Sequence, residues 1–320
     1  MSRNQNIALI VGMLILIAVA PMLSTYWVGI LTMMLIWGIL AMSLDLLMGY
    51  TGLPSFGHAA FYGVAAYVVG IMTTKYGAGF FATVGMSLLV TAATAAVFGL
   101  IVSHMKGVYF LMITLALGQV TWGLAFRWTH MTGGDNGISG VPRPDFGEMF
   151  NMWDEVTFYY FVLLVFIICF VLLSIFIRSP FGNTLRGIRE SDSRMRILGY
   201  NVWLHKYLVY VVAGVFGGVS GILWAYYNGF VSTVDVEIDS SFLVFLMVIL
   251  GGPGSLIGPA IGAGVIIFLQ NYLSGIWEHW LIVIGLIYIL TVIFLPKGLF
   301  GLRVSLVTEE GKKRLKIITP

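Results

Sequence analysis

Apolar stretches with almost no charge recur along the whole chain, most of them near the length a helix needs to cross a bilayer. They fall at 7–22, 27–48, 58–74, 80–103, 107–127, 157–177, 207–229, 241–252, 257–273 and 280–296. A segment in lipid must satisfy its backbone internally, so these runs predict helices. Composition agrees: 59% of the residues are apolar and 10% charged, against about 25% charged in ordinary soluble domains. So few charges cannot cover a water-facing globule of 320 residues. A soluble enzyme and a disordered or fibrous chain are excluded. The expectation is an all-α polytopic membrane protein with about ten transmembrane helices, one transmembrane domain over 1–320. Residues 241–252 are short for a span and predict a tilted, broken or re-entrant piece. The first run reads as an uncleaved helix, with a signal ending at Ala18-Val19-Ala20 as the alternative.

Lys and Arg set the orientation. With the N-terminus in the cytoplasm and alternating spans, fourteen of the 17 fall inside and only Lys75, Arg127 and Arg143 outside. Both termini are therefore expected in the cytoplasm, the C-terminus as a basic tail over 297–320. Two outer loops are acidic. One carries Asp135, Asp145, Glu148, Asp154 and Glu155; the other carries Asp235, Glu237 and Asp239. They read as solvated surface or as a docking face for a soluble partner, where complementary charge steers encounter.

The cytoplasmic segment 178–206 is longer than a link between two helices needs. Leu185, Ile188, Met195 and Leu198 fall near helical spacing among Arg186, Arg189, Glu190 and Arg194, and Gly199 follows as a stop. This predicts a short amphipathic helix along the cytoplasmic face, against lipid or under a cytoplasmic partner.

No P-loop is present, because the glycine-rich stretch 251–255 lacks the required lysine. Any nucleotide energy must come from another chain. A Gly-x-Ser-Gly pattern around Ser220, with His279 downstream, gives a weak intramembrane-protease reading; the same pattern recurs around Ser139. Cys169, the one cysteine, reads as a packing residue. Gly254, Gly258 and Gly262, and again Gly214, Gly217, Gly218 and Gly221, are spaced for close helix approach. Asp45 is the one acidic residue well inside a span, a functional suspect by default. Its simpler role is to tie down the glycine turn that follows it. Gln119, Thr121 and Gln270 are further polar groups within spans.

Residues 49–61, GYTGLPSFGHAAF, resemble the GYxGLxSxGHAAF signature of the LivM-type permease subunit of branched-chain amino acid ABC importers. Residues 132–142, TGGDNGISGVP, are similar to that family's outer loop; 186–191 with 198–200 resemble its cytoplasmic coupling segment. LGGPGSLIGP at 250–259 and FLPKGL at 294–299 match its late motifs. The resemblance implies a type II importer-like permease bundle in a bacterial cytoplasmic (inner) membrane. It implies a second homologous permease, two cytoplasmic ATPase subunits that use ATP and Mg, and an extracytoplasmic substrate-binding protein. No nucleic acid and no cofactor on this chain are expected. Arg186, Arg189, Glu190, Arg194 and Gly199 become the ATPase-coupling candidates, and Asp135, Asp235, Glu237 and Asp239 the docking candidates. Asp45, Ser55, His58, Gln119 and Thr121 become the path or gate candidates. One departure is plain. Importer permeases commonly carry Glu-Ala-Ala with Gly six residues after the Glu, whereas here Glu190-Ser191-Asp192 precedes Gly199 by nine. Relatives that carry urea, amides or other small acids supply the alternative substrates, and a stand-alone secondary transporter the alternative class.

Overall fold

Helices form where the apolar runs lie: α1 (Thr25–Asp45), α2 (His58–Thr74), α3 (Phe80–Val102), α4 (Gly107–Arg127) and α5 (Glu155–Arg178). Two short helices, α6 (Pro180–Glu190) and α7 (Asp192–Ile197), precede α8 (Val202–Asn228), α9 (Ile238–Gly251), α10 (Ile257–Ser274) and α11 (Trp280–Phe294). The structure is a computed structural model that describes Gly12 and residues 16–145, 151–276, 279–294 and 298–299. Of the expected first span, 16–19 are helical and Ala20–Met22 form a tight turn; its remainder and most of the tail 297–320 lie outside the described residues. Among the described residues, six helices are long and apolar enough to cross a membrane: α1 with its continuation to Thr51, α3, α4, α5, α8 and α10. α2, α9 and the described part of α11 are apolar but shorter. The 14 residues of α9 rise roughly 21 Å, less than a hydrocarbon core, so the helix over 241–252 is short, as its apolar run is.

α1 is the central helix, packed by α5, α8, α9 and α10. It is apolar all round, the pattern of a helix with no water-facing side. α3 shows the opposite arrangement. Its buried residues include Thr83, Ser87, Thr91, Ala95 and Gly99 at four-residue spacing, while Leu89, Val97 and Leu100 face outward. A buried stripe of small and hydroxyl residues under an apolar outer face is the logic of a helix in lipid. Ser87 Oγ donates to the Ala65 carbonyl at 2.9 Å and joins α3 to α2. The glycine row of α8 lies against both: Gly218 faces Thr91, and Gly221 abuts the Tyr62 backbone so closely that no side chain fits there. Gly262 of α10 meets the Met247 backbone of α9 in the same way.

β1 (Ile138–Ser139) and β2 (Phe230–Val231) pair antiparallel, Ile138 opposite Val231. The described parts of the two acidic loops are therefore joined, seated over α2 through Ile138 against Gly70 and Val236 against Gly63.

Candidate functional site

The two glycine-rich interruptions meet. α1 widens at its end into a π turn, Leu46–Thr51, closed by Gly52 at φ 74°. α9 stops at Gly251, and the chain turns through Gly252, Gly254 and Leu256, all at positive φ, into α10. Asp45, fully buried, accepts from the Gly254 N–H at 2.7 Å and the Leu256 N–H at 3.1 Å. The simple expectation for Asp45 was its own glycine turn; the structure gives it the amides of the other one, 209 and 211 residues away. A carboxylate out of water is tolerable only with such donors. Gly49 lies against this contact, where any side chain collides with the Asp45 carboxylate and the Gly254 nitrogen.

The segment 178–206 reaches the same place. Arg189 of α6 donates to the Gly49 carbonyl, and its stem passes over Gly52. Arg186 stacks its guanidinium over the Tyr50 ring at 5.3 Å. α6 thus holds the end of α1, and the end of α1 holds the start of α10.

The expected single amphipathic helix is two. Ser191, in extended backbone, ends α6 and caps α7 by accepting from the Arg194 N–H at 3.3 Å. Met195 then folds back onto Gly187. Leu185, Ile188 and Met195 are buried as the spacing predicts, but Leu198 is 64% exposed, beside Ile197 and Tyr200. Helical spacing carried across the Ser191 break put Leu198 on the wrong face. Gly199 takes φ 87° as the chain leaves α7. Glu190 and Arg194 are exposed. Asp192 anchors the hairpin, accepting from Lys106 and Lys206, each at 2.7 Å. Burial alone pushes its carboxyl up; the bonds from Lys106 and Lys206 outweigh that and hold it below the ordinary carboxylate range.

Between the π turn and α2, residues 52–57 run through the bundle interior. Ser55 is buried and accepts from the Gly57 N–H at 3.4 Å. His58 is fully buried, with Nε2 2.7 Å from Ser43 Oγ, which itself donates to the Leu40 carbonyl. Ser43 spends its one proton on that carbonyl, so Nε2 is the donor, and Nδ1 has no protein partner among the described residues. The Phe56 N–H donates to Thr114 Oγ1 at 3.2 Å, and the Phe56 ring meets Phe242 and Phe245 of α9. The Ala59 N–H donates to Ser241 Oγ at 3.0 Å. Thr114 and Gly118 are the α4 residues against this loop. Thr121 bonds the Leu117 carbonyl of its own helix, and Gln119 is half-buried. Asp45, Ser55 and His58 therefore gather around the first interruption, while Thr121 serves its helix. Ser43, Thr114 and Ser241, which hold that interruption, carry no sequence signal beyond being hydroxyls inside apolar runs. Ser220 is fully buried and donates to the Ile36 carbonyl at 2.7 Å, leaving the protease reading no accessible nucleophile.

Among the docking candidates, Asp135 and Asp239 are exposed and Glu237 half-buried. Asp235 is turned inward. It accepts from the Trp224 indole N–H and the Ser232 N–H, both at 2.9 Å. Burial pushes its carboxyl up to about 6, although the bonds from Ser232 and Trp224 oppose the rise. Its place is a local cap and not an open docking face.

Comparison with known proteins is consistent with this architecture. A family model described as "Branched-chain amino acid transport system / permease component" matches residues 26–292. The high-affinity branched-chain amino acid transport system permease protein LivM of Salmonella typhimurium is 28% identical over 97% of this chain and 79% of its own length. LivM of Escherichia coli is 28% identical over 92% and 75%. A tyrosine transport system permease protein of Clostridioides difficile is 25% identical over 70% and 72%. No solved structure matches the chain significantly.

Proposed function

Because the chain belongs to the branched-chain amino acid transport system permease component family, we propose that it is a transmembrane permease subunit of an ATP-binding-cassette importer for leucine, isoleucine and valine. It sits in the bacterial inner membrane with about ten spans, both termini inside, in a type II importer-like bundle. It carries no chemistry of its own and forms half of the translocation path beside a second, homologous permease. Two cytoplasmic ATPase subunits bind the α6–α7 hairpin and use ATP and Mg there. An extracytoplasmic binding protein delivers substrate above.

The observation that carries this reading is the contact of Arg189 with the broken end of α1. Closure of the ATPases on ATP moves the hairpin. Arg189 passes that motion to Gly49, and Asp45 passes it to the start of α10. Two spans interrupted side by side are a bistable element, which is what alternating access needs. The exposed apolar residues Ile197, Leu198 and Tyr200 at the end of α7 give the ATPases a surface to grip. The test is reconstitution in liposomes. The four-chain importer with binding protein is expected to take up leucine only with ATP, and this chain alone to take up none under a proton or sodium gradient. Gradient-driven uptake by the isolated chain overturns the reading in favour of a secondary transporter.

A further inference from the structure

The outer end of the bundle holds a cleft of about 380 Å³ between α1, α5, α8 and α10. That volume is within the range of about 300–1,000 Å³ usual for small-molecule sites. Its polar wall carries Arg143, Glu155, Asn228 and Asn271, and its apolar wall Ile30 and Met33. The hydrogen bonds already made inside it leave a particular set of atoms free. Arg143 gives Nη1 to the Met152 and Trp153 carbonyls and Nη2 to Glu155 Oε1 at 2.6 Å. Its guanidinium is also stacked on the Phe158 ring at 4.8 Å, so the cation is fixed in place. Asn228 Nδ2 donates to the Phe230 carbonyl and Asn271 Nδ2 to the Ile267 carbonyl. Both amides thus spend donors on their own backbone.

Among the groups left for a ligand are three acceptors. Glu155 Oε2, Asn228 Oδ1 and Asn271 Oδ1 carry no bond among the described residues. Three acceptors, one of them charged, match the three N–H donors of a primary ammonium. The Arg143–Glu155 pair is neutral as a whole. A bare cation gains only part of the carboxylate, whereas a solute with its own anionic group beside the ammonium is matched at both ends. Resting on the importer reading, we propose that this cleft is an outer-mouth site for a small zwitterion. Its ammonium is taken by Glu155, Asn228 and Asn271, its anionic group lies toward Arg143, and its apolar part lies on Ile30 and Met33. Two sources share this chemistry: a free amino acid and the headgroup of phosphatidylethanolamine.

The experiment places the assembled importer, without binding protein and without ATP, in nanodiscs of phosphatidylcholine and phosphatidylglycerol and measures equilibrium binding of radiolabelled leucine. Saturable binding is expected, displaced by valine but not by 4-methylpentanoate, which keeps the carboxylate and side chain and lacks the ammonium. Glu155→Gln is expected to weaken binding by about tenfold or more, the size of one charge-assisted bond. Asn271→Ala, which leaves the Arg143 pair intact, serves where the first variant fails to assemble and is expected to weaken binding several-fold. A second set of discs contains phosphatidylethanolamine. Loss of leucine binding there, with phosphatidylethanolamine co-purifying with the native importer and less with Asn271→Ala, makes the headgroup the resident occupant of the same site. Equal displacement by 4-methylpentanoate, or binding untouched by both variants, overturns the proposal. ATP-driven uptake on the same preparation separates the two readings: import without cleft binding overturns this inference alone, and no import overturns the importer.

Discussion

The two helix interruptions that meet at Asp45 leave opposite polar groups unpaired, and the chain answers each with an opposite charge. The end of α1 exposes carbonyls. The Leu53 N–H returns to Leu47 at 2.8 Å, Thr51 Oγ1 donates to Leu46 at 2.8 Å, and Arg189 takes Gly49. The start of α10 exposes N–H groups, and Asp45 takes two while Ser255 Oγ takes that of Gly258 at 3.0 Å. Cations belong at helix C-termini and anions at N-termini. The difference lies in where the answering charge comes from. Asp45 is on a fixed central helix and fully buried, so its contact is structural. Arg189 comes from the α6–α7 hairpin and is exposed, so its contact can be made and broken. The interior break is permanently stitched, and the peripheral one is available to a partner.

The comparison is broken most severely at Asp45. Replacing Asp45 with Ala strands two N–H groups, each costing about 1–3 kcal/mol. Thermal unfolding of the purified permease is expected to fall steeply or the chain to fail to accumulate, with Asp45→Asn, which keeps an acceptor, less affected. Gly49→Ala comes next, because its methyl forces the Asp45 carboxylate off Gly254; a loss close to that of Asp45→Ala is expected by the same measurement. Arg189→Ala is expected to cost about 1 kcal/mol or less, since the side chain is exposed, yet to lower ATP-dependent uptake severely while the ATPase chains still bind. Arg189→Lys, which keeps a cationic donor, is expected to restore part of that uptake. If Arg189→Ala unfolds the protein as Asp45→Ala does, both stitches are structural and the distinction fails.

How much of this was readable in the chain follows from range. The helices were legible because lipid imposes a local rule, a run of about 20 apolar residues. The short α9 was legible for the same reason. Asp45 and both glycine breaks stood out individually, since a charge and a turn are each anomalous inside a span. Their pairing was not legible, because Asp45 and Gly254 are 209 residues apart and nothing local in either names the other. Leu198 misled because helical spacing carries no information about Ser191, whose hydroxyl competes for the backbone and ends one helix to start the next. Asp235 misled because charge counts do not tell an acidic cap from an acidic surface. The sequence also gave no sign that the loops carrying Ile138 and Val231 pair.

The smallest expected effect concerns the heel of the hairpin, which decides how freely Arg189 moves. Lys106 and Lys206 both converge on Asp192, tying α6 and α7 to the starts of α4 and α8. Asp192 is partly exposed and Lys106 half-exposed, so screening keeps the contribution to under about 1 kcal/mol. The folded carboxyl titrates below its ordinary value of 3.8. Its contribution is therefore fully present above that value and is lost as pH falls through and below it, because only the folded state prefers the ionised form. Asp192→Asn is expected to be slightly less stable than the native chain at neutral pH and to converge with it under acid. Hydrogen exchange of the α6–α7 backbone should rise in the variant while that of α1 and α10 stays unchanged. If exchange rises equally around Gly49 and Gly254, the hairpin and the inner stitch are one cooperative unit, and movement of α6 and α7 reaches both interruptions at once. If it rises only in α6 and α7, the heel sets the stiffness of the lever and Asp45 alone sets the stiffness of what it moves.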